Sequence, residues 1–114
     1  MTTVKFTLNE KNEIKHFLVS GHSGYAEEGS DIVCAAVSSC VQMLEICIAQ
    51  AIGEKKASFN IIGDAEISYS VPEDLSDEQH SFVNKMLEGF LKYMQSISEH
   101  YKKYLSFETE VKKC

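Results

Sequence analysis

Residues Ile32 to Ile52 form a run with almost no polar face, and this run constrains the fold more than any other stretch. Val37, Val41, Leu44, Ile48 and Ile52 recur along one side at helical spacing, and Cys40, Met43, Cys47 and Ala51 along another. The spacing predicts a helix from about Ile32 that stops at Gly53. A helix this apolar must be buried on more than one side. A sheet accounts for one side, and either a second helix or a second copy of the chain for the other. No uninterrupted apolar stretch is read as long enough to span a bilayer.

The sheet is read from alternation. Val4, Phe6 and Leu8 alternate with polar residues and predict a strand. After the polar turn Asn9-Glu10-Lys11-Asn12, Ile14 to Ser20 predicts a second strand, with Phe17 and Val19 on one face and His16 and Leu18 on the other. The pair reads as an antiparallel hairpin. Beyond the helix and the charged connector Glu54-Lys55-Lys56, strands are predicted over Ala57 to Ile62 and Ala65 to Val71, turning at Gly63-Asp64. Pro72 ends the second of them.

Ser76-Asp77-Glu78-Gln79 reads as a capping box. It opens a second helix whose stripe contains Phe82, Val83, Met86, Leu87, Phe90, Leu91, Met94, Ile97 and Tyr101. Gly89, inside this helix, is read as a point of close packing, and His80 and His100 as solvent-side residues. A last strand runs from about Tyr104 to Val111. The order β-β-α-β-β-α-β predicts an α+β two-layer sandwich, a mixed sheet of about five strands with two helices. A chain of 114 residues with one proline is expected to be a single domain, residues 1–114.

Seventeen acidic against eleven basic residues give a formal charge of −6. That balance argues against direct nucleic-acid binding, which needs a basic face, and suits a basic peptide or protein partner. The four cysteines, Cys34, Cys40, Cys47 and Cys114, include no CxxC pair and no histidine at zinc-site spacing, so no metal is expected. Nor does any motif call for a cofactor. Cys40 and Cys47, seven apart on one helix, read as core filler. The first residues lack the apolar segment of a secretory signal, and a cytoplasmic, reducing location is expected, with Cys34 kept as a thiol.

Between the second strand and the first helix lies a glycine-punctuated loop that begins Gly21-His22 and ends near Cys34. Ser30 and Asp31 are both good N-caps for the helix, which would put Cys34 in its first turn. Free N–H groups and the helix dipole would then stabilise a thiolate there. The amides near Cys34 and Ala35 would be candidates to hold an oxyanion. The loop is long enough to return His22 to Cys34, where an imidazole can take the thiol proton and later donate one to a leaving amine. Ser38, one turn after Cys34, shares its face. Asp31 is a candidate to orient His22, in competition with its capping role. The loop Ser23–Ser30 has the features of a lid, with Gly24 and Gly29 as flexible points and Tyr25 as an aromatic surface.

Gly21-His22, followed by Asp31-Ile32-Val33-Cys34-Ala35-Ala36-Val37-Ser38, resembles the signature of the ribosomal-processing cysteine protease family, Prp. Ser23 departs from the alanine that the family pattern would place there. The resemblance implies a cysteine endopeptidase with a catalytic dyad at His22 and Cys34, acting as a homodimer. It further implies a substrate: the precursor of a large-subunit ribosomal protein near the peptidyl-transferase centre, whose short N-terminal extension is removed during bacterial ribosome assembly. Two other readings of the residues stay open. One is a redox or acyl-carrying thiol, against which the lack of a resolving CxxC partner argues. The other is a non-catalytic dimeric ribosome-associated interaction module.

Overall fold

The computed structural model describes residues 1–21, 28–63 and 66–112, with backbone alone described over 28–31. Among these residues, five strands and two helices follow in the order β1 (Thr2–Leu8), β2 (Ile14–Ser20), α1 (Glu28–Ile52), β3 (Asn60–Ile62), β4 (Glu66–Ser70), α2 (Asp77–His100) and β5 (Leu105–Val111). The strands form one mixed sheet in the order β3-β4-β2-β1-β5. β5 runs parallel to β1, and the other three pairings are antiparallel. The α+β two-layer architecture is the one expected.

Alternation along the strands separates two faces. Val4, Phe6, Ile14, Phe17, Val19, Tyr69 and Leu105 are buried and join one cluster with residues of both helices, so both helices lie on the same side. At its centre, the Phe17 ring meets Phe6, Phe59, Tyr69 and Phe90 at centroid distances of 5.0–6.3 Å. Helix α1 contributes Val33, Val37, Val41, Leu44, Ile48 and Ile52 to this core, and ends where expected: Gly53, at φ +90°, donates its N–H to the Ala49 carbonyl.

Helix α2 starts as read. The Ser76 hydroxyl accepts from the Gln79 N–H, and the Gln79 side chain accepts from the Ser76 N–H. Its Asn84, 8% exposed, accepts the Ile14 N–H at 3.0 Å and donates to the Ile14 carbonyl at 3.5 Å. This pair satisfies the backbone at the start of β2 and ties the helix to the sheet.

Several boundaries differ from the expectation. Helix α1 begins at Glu28, so Gly29, Ser30 and Asp31 are helical rather than a lid end and its caps. None of these residue types bars a helical turn, acidic ones favour a first turn, and a capping residue marks a preference for an end rather than a stop. β3 covers only Asn60–Ile62 because the Phe59 N–H is taken by the Glu45 carboxylate at 2.7 Å instead of a strand neighbour. Tyr104 precedes β5. Phe82 and Tyr101 are exposed members of the α2 stripe, and Tyr101 caps the helix C-terminus. A Cβ at Gly89 would meet nothing within 4 Å, so that glycine is not a close contact. His80 is half-buried, 3.7 Å from Glu13, rather than on the solvent side. The turn residues Asp64 and Ala65 lie outside the described residues.

By length and composition the segment Ile32–Ile52 does suffice to cross a bilayer, contrary to the sequence reading. Its buried residues recur every three or four positions against the sheet, as in the core helix of a folded domain.

Candidate active site

Cys34 is the seventh residue of α1, two turns inside the helix rather than in its first turn. The N–H groups left unpaired by a helix beginning at Glu28 are those of its first four residues. The amides of Cys34 and Ala35 therefore belong to the helix ladder, and the expected oxyanion role for them falls away. What distinguishes Cys34 is its neighbourhood. Its side chain is half-buried and faces a cavity of about 120 Å³ at the end of the sheet.

Three parts of the chain wall this cavity. Cys34, Val37 and Ser38 come from α1; Thr2, Val19 and Gly21 from the start of β1 and the end of β2; Ile61, Gly63, Glu66 and Ile67 from the β3–β4 hairpin. Ser38 thus shares the cavity with Cys34, as their one-turn spacing requires. Ala35 is exposed beside them. Glu66 pairs with Ser20 and its neighbour Ile67 with Val19. Because Val19 lies on the helix-covered face, alternation puts the Glu66 side chain on the other face. Glu66 forms the cavity rim rather than a carboxylate partner for the thiol.

Thr2 is 4% exposed, and its Oγ1 lies 3.6 Å from Cys34 Sγ. Its N–H donates to the Tyr104 carbonyl at 3.0 Å, which fixes the first residues of β1 beside the start of β5. No local pattern in the sequence marks this contact. The residues are 32 apart, and only the position of β1 in the sheet brings them together.

Gly21 carries the second constraint. It has φ +77°, and a Cβ there would lie 2.5 Å from the Met1 carbonyl oxygen. Only glycine lets the end of β2 turn so close to the start of β1. The residue after it is His22. His22, Gly24 and Tyr25 lie outside the described residues, and of Gly29 and Asp31 only the backbone is described.

The two helical cysteines have other surroundings. Burial pushes the Cys40 thiol above its ordinary pKa. Cys40 also lines a groove between the helices with Met43, Met86, Gly89 and Tyr93. Among the described residues no group of three or more His, Cys, Asp or Glu is placed to hold a metal.

A half-buried thiol facing a cavity on an α+β sandwich is placed as a cysteine nucleophile must be, and comparison with known proteins gives the class, a cysteine protease. The family model described as Cysteine protease Prp matches residues 1–106, and the chain belongs to that family. The ribosomal processing cysteine protease Prp of Bacillus subtilis (strain 168) is 28% identical over 99 residues, covering 86% of this chain and 88% of the relative. The fold matches the essential ribosomal processing protease Prp from S. aureus in complex with a covalently linked product peptide. That match has a TM-score of 0.75 and 23% identity, over 96% of this chain and 100% of that one. A Streptococcus mutans protein matches with a TM-score of 0.76 and 19% identity, over 98% and 96% of the two chains.

Proposed function

We propose that this enzyme is a single cysteine endopeptidase domain that uses Cys34 as nucleophile and His22 as general base and acid. The observation that carries the assignment is the position of Cys34. Its half-buried thiol faces a cavity that also contains Gly21, the residue before His22.

In this reading His22 takes the Cys34 thiol proton, and Sγ attacks the scissile carbonyl carbon. The tetrahedral intermediate collapses as the C–N bond breaks, and His22 gives its proton to the departing amine. The acyl group stays on sulfur as a thioester. Water then attacks the thioester carbonyl, losing a proton to His22, and the C–S bond breaks to release the carboxylate product and restore the thiol. Ser38, which lines the same cavity, is proposed to hydrogen-bond the substrate or the sulfur. Asp31 stays a candidate to orient His22, and Gly24 and Tyr25 stay candidate loop residues over the substrate, as their places in the sequence suggest; Gly29 lies within α1.

The substrate proposed is the precursor of a large-subunit ribosomal protein with a short N-terminal extension. Relatives named as ribosomal processing proteases support this, as does the acidic charge of the chain against a basic partner. The enzyme is expected to act in the cytoplasm without metal, cofactor, membrane or direct nucleic-acid contact. A homodimer is proposed from α1. Its exposed Ile32, Ala35, Ser39, Gln42, Met43 and Ile46 include no charged residue, and Met43 and Ile46 are 67% and 60% exposed. Such an uncharged stripe suits a second copy.

Intact masses of the precursor, incubated with wild type, Cys34→Ala or His22→Ala, test the assignment. Loss of a defined N-terminal peptide with wild type alone supports it. Cleavage that survives Cys34→Ala contradicts it, and binding without cleavage by wild type indicates the interaction module instead.

A further inference from the structure

We propose that Thr2 is a positioning residue for Cys34, its hydroxyl donating a hydrogen bond to the thiolate. This rests on Cys34 being the nucleophile. The observations are geometric. Thr2 Oγ1 and Cys34 Sγ are 3.6 Å apart, within reach of a bond to a large, polarisable acceptor. The hydroxyl belongs to a residue 4% exposed, so solvent does not compete freely for it.

The backbone beneath Thr2 is fixed from two sides. Its N–H is held by the Tyr104 carbonyl at 3.0 Å, and it stands opposite Leu105 in the parallel β1–β5 register. The turn at Gly21 packs against Met1 and the Thr2 Cα. A β-branched side chain on such a strand has few rotamers open to it. The oxygen is therefore held at one place in the cavity wall rather than searching for the sulfur.

A neutral thiol gains little from this neighbour, whereas a thiolate gains a charge-assisted bond. A bond that favours the charged form lowers the pKa of the group that receives it. With Cys34 two turns inside α1, the dipole effect expected of a first-turn cysteine is weakened. The Thr2 hydroxyl supplies part of the thiolate stabilisation that the sequence assigned to the helix start. It also restrains the direction of Sγ, which shares the cavity with Gly21 and Ser38.

The test is the pH dependence of Cys34 alkylation by iodoacetamide, read on the Cys34 peptide by mass spectrometry so that the other cysteines do not contribute. Thr2→Val removes the oxygen and keeps the shape. The proposal predicts that its midpoint rises by about one pH unit. Below the midpoint the thiolate fraction then falls about tenfold, and higher nucleophilicity returns roughly threefold of that, leaving alkylation about threefold slower. Thr2→Ser should keep the wild-type midpoint. If Thr2→Val does not fold, Thr2→Ala against Thr2→Ser, which differ by the one oxygen, reads the same shift.

Superimposable profiles for the folded valine and wild-type proteins overturn the proposal. So does an equal shift in the serine variant, which makes the role one of packing. Alkylation involves no peptide hydrolysis. A wild type that cleaves no precursor but shows the Thr2-dependent shift therefore refutes the protease assignment alone, whereas cleavage without the shift refutes the Thr2 role alone.

Discussion

The Met1 carbonyl oxygen occupies the space where a side chain on Gly21 would begin, 2.5 Å from an ideal Cβ, and Gly21 has a positive φ of +77°. Both the steric and the conformational requirement fall on the residue that leads into His22. Gly21→Ala should destabilise the fold by about 1–3 kcal/mol or more, measured by urea denaturation. It should also lower precursor cleavage at temperatures where the variant remains folded, because Gly21 lines the cavity that Cys34 faces.

Asn84 accepts from the Ile14 N–H and donates to its carbonyl. Asn84→Leu leaves both backbone groups buried without that partner, and should cost about 1–3 kcal/mol. Thermal melting should register the loss, while the alkylation profile of Cys34 stays as in wild type.

These two contacts also mark how far the sequence could be read. β2, the β1–β2 hairpin, the α2 capping box and the stop at Gly53 follow from short-range rules, because each depends on neighbours within a few residues. The sharing of one cavity by Cys34 and Ser38 follows from one turn of helix. Thr2 against Cys34 and Met1 against Gly21 depend on which strands lie side by side, and no local pattern encodes that. The start of α1 is hidden for a related reason: Ser30 and Asp31 are good caps, but the backbone continues its helical turn back to Glu28. The alternation overextends β3 because Ala57 and Phe59 are buried without belonging to a strand: the Ala57 N–H donates to the Gly53 carbonyl and the Phe59 N–H to the Glu45 carboxylate.

Burial, with Lys112 and Lys5 nearby, holds the His16 pKa below its ordinary value of 6.5. Between the folded and ordinary midpoints the unfolded chain binds more protons, so stability rises with pH. The contribution is complete above about pH 6.5 and is lost as pH falls through the folded midpoint. His16→Gln should flatten the stability profile in that window, with denaturation midpoints measured from pH 5 to 8 as the check.

An uncharged face on α1 should hold two copies together. Met43→Lys, at a position 67% exposed in one chain, adds a charge to that face without touching the core. Sedimentation should show a dimer for wild type and a monomer for the variant, with melting of the separated chain little changed. Identical sedimentation of the two proteins would remove α1 as the contact.

Covalent catalysis by Cys34 requires its sulfur to carry the acyl group of the cleaved peptide during turnover. It is tested most directly by mixing enzyme with precursor, quenching rapidly in acid and mapping the added mass. The expected result is the mass of the N-terminal fragment, less one water, on the peptide that contains Cys34, and its absence in Cys34→Ala and His22→Ala. Cleavage with the fragment attached to another residue would contradict it.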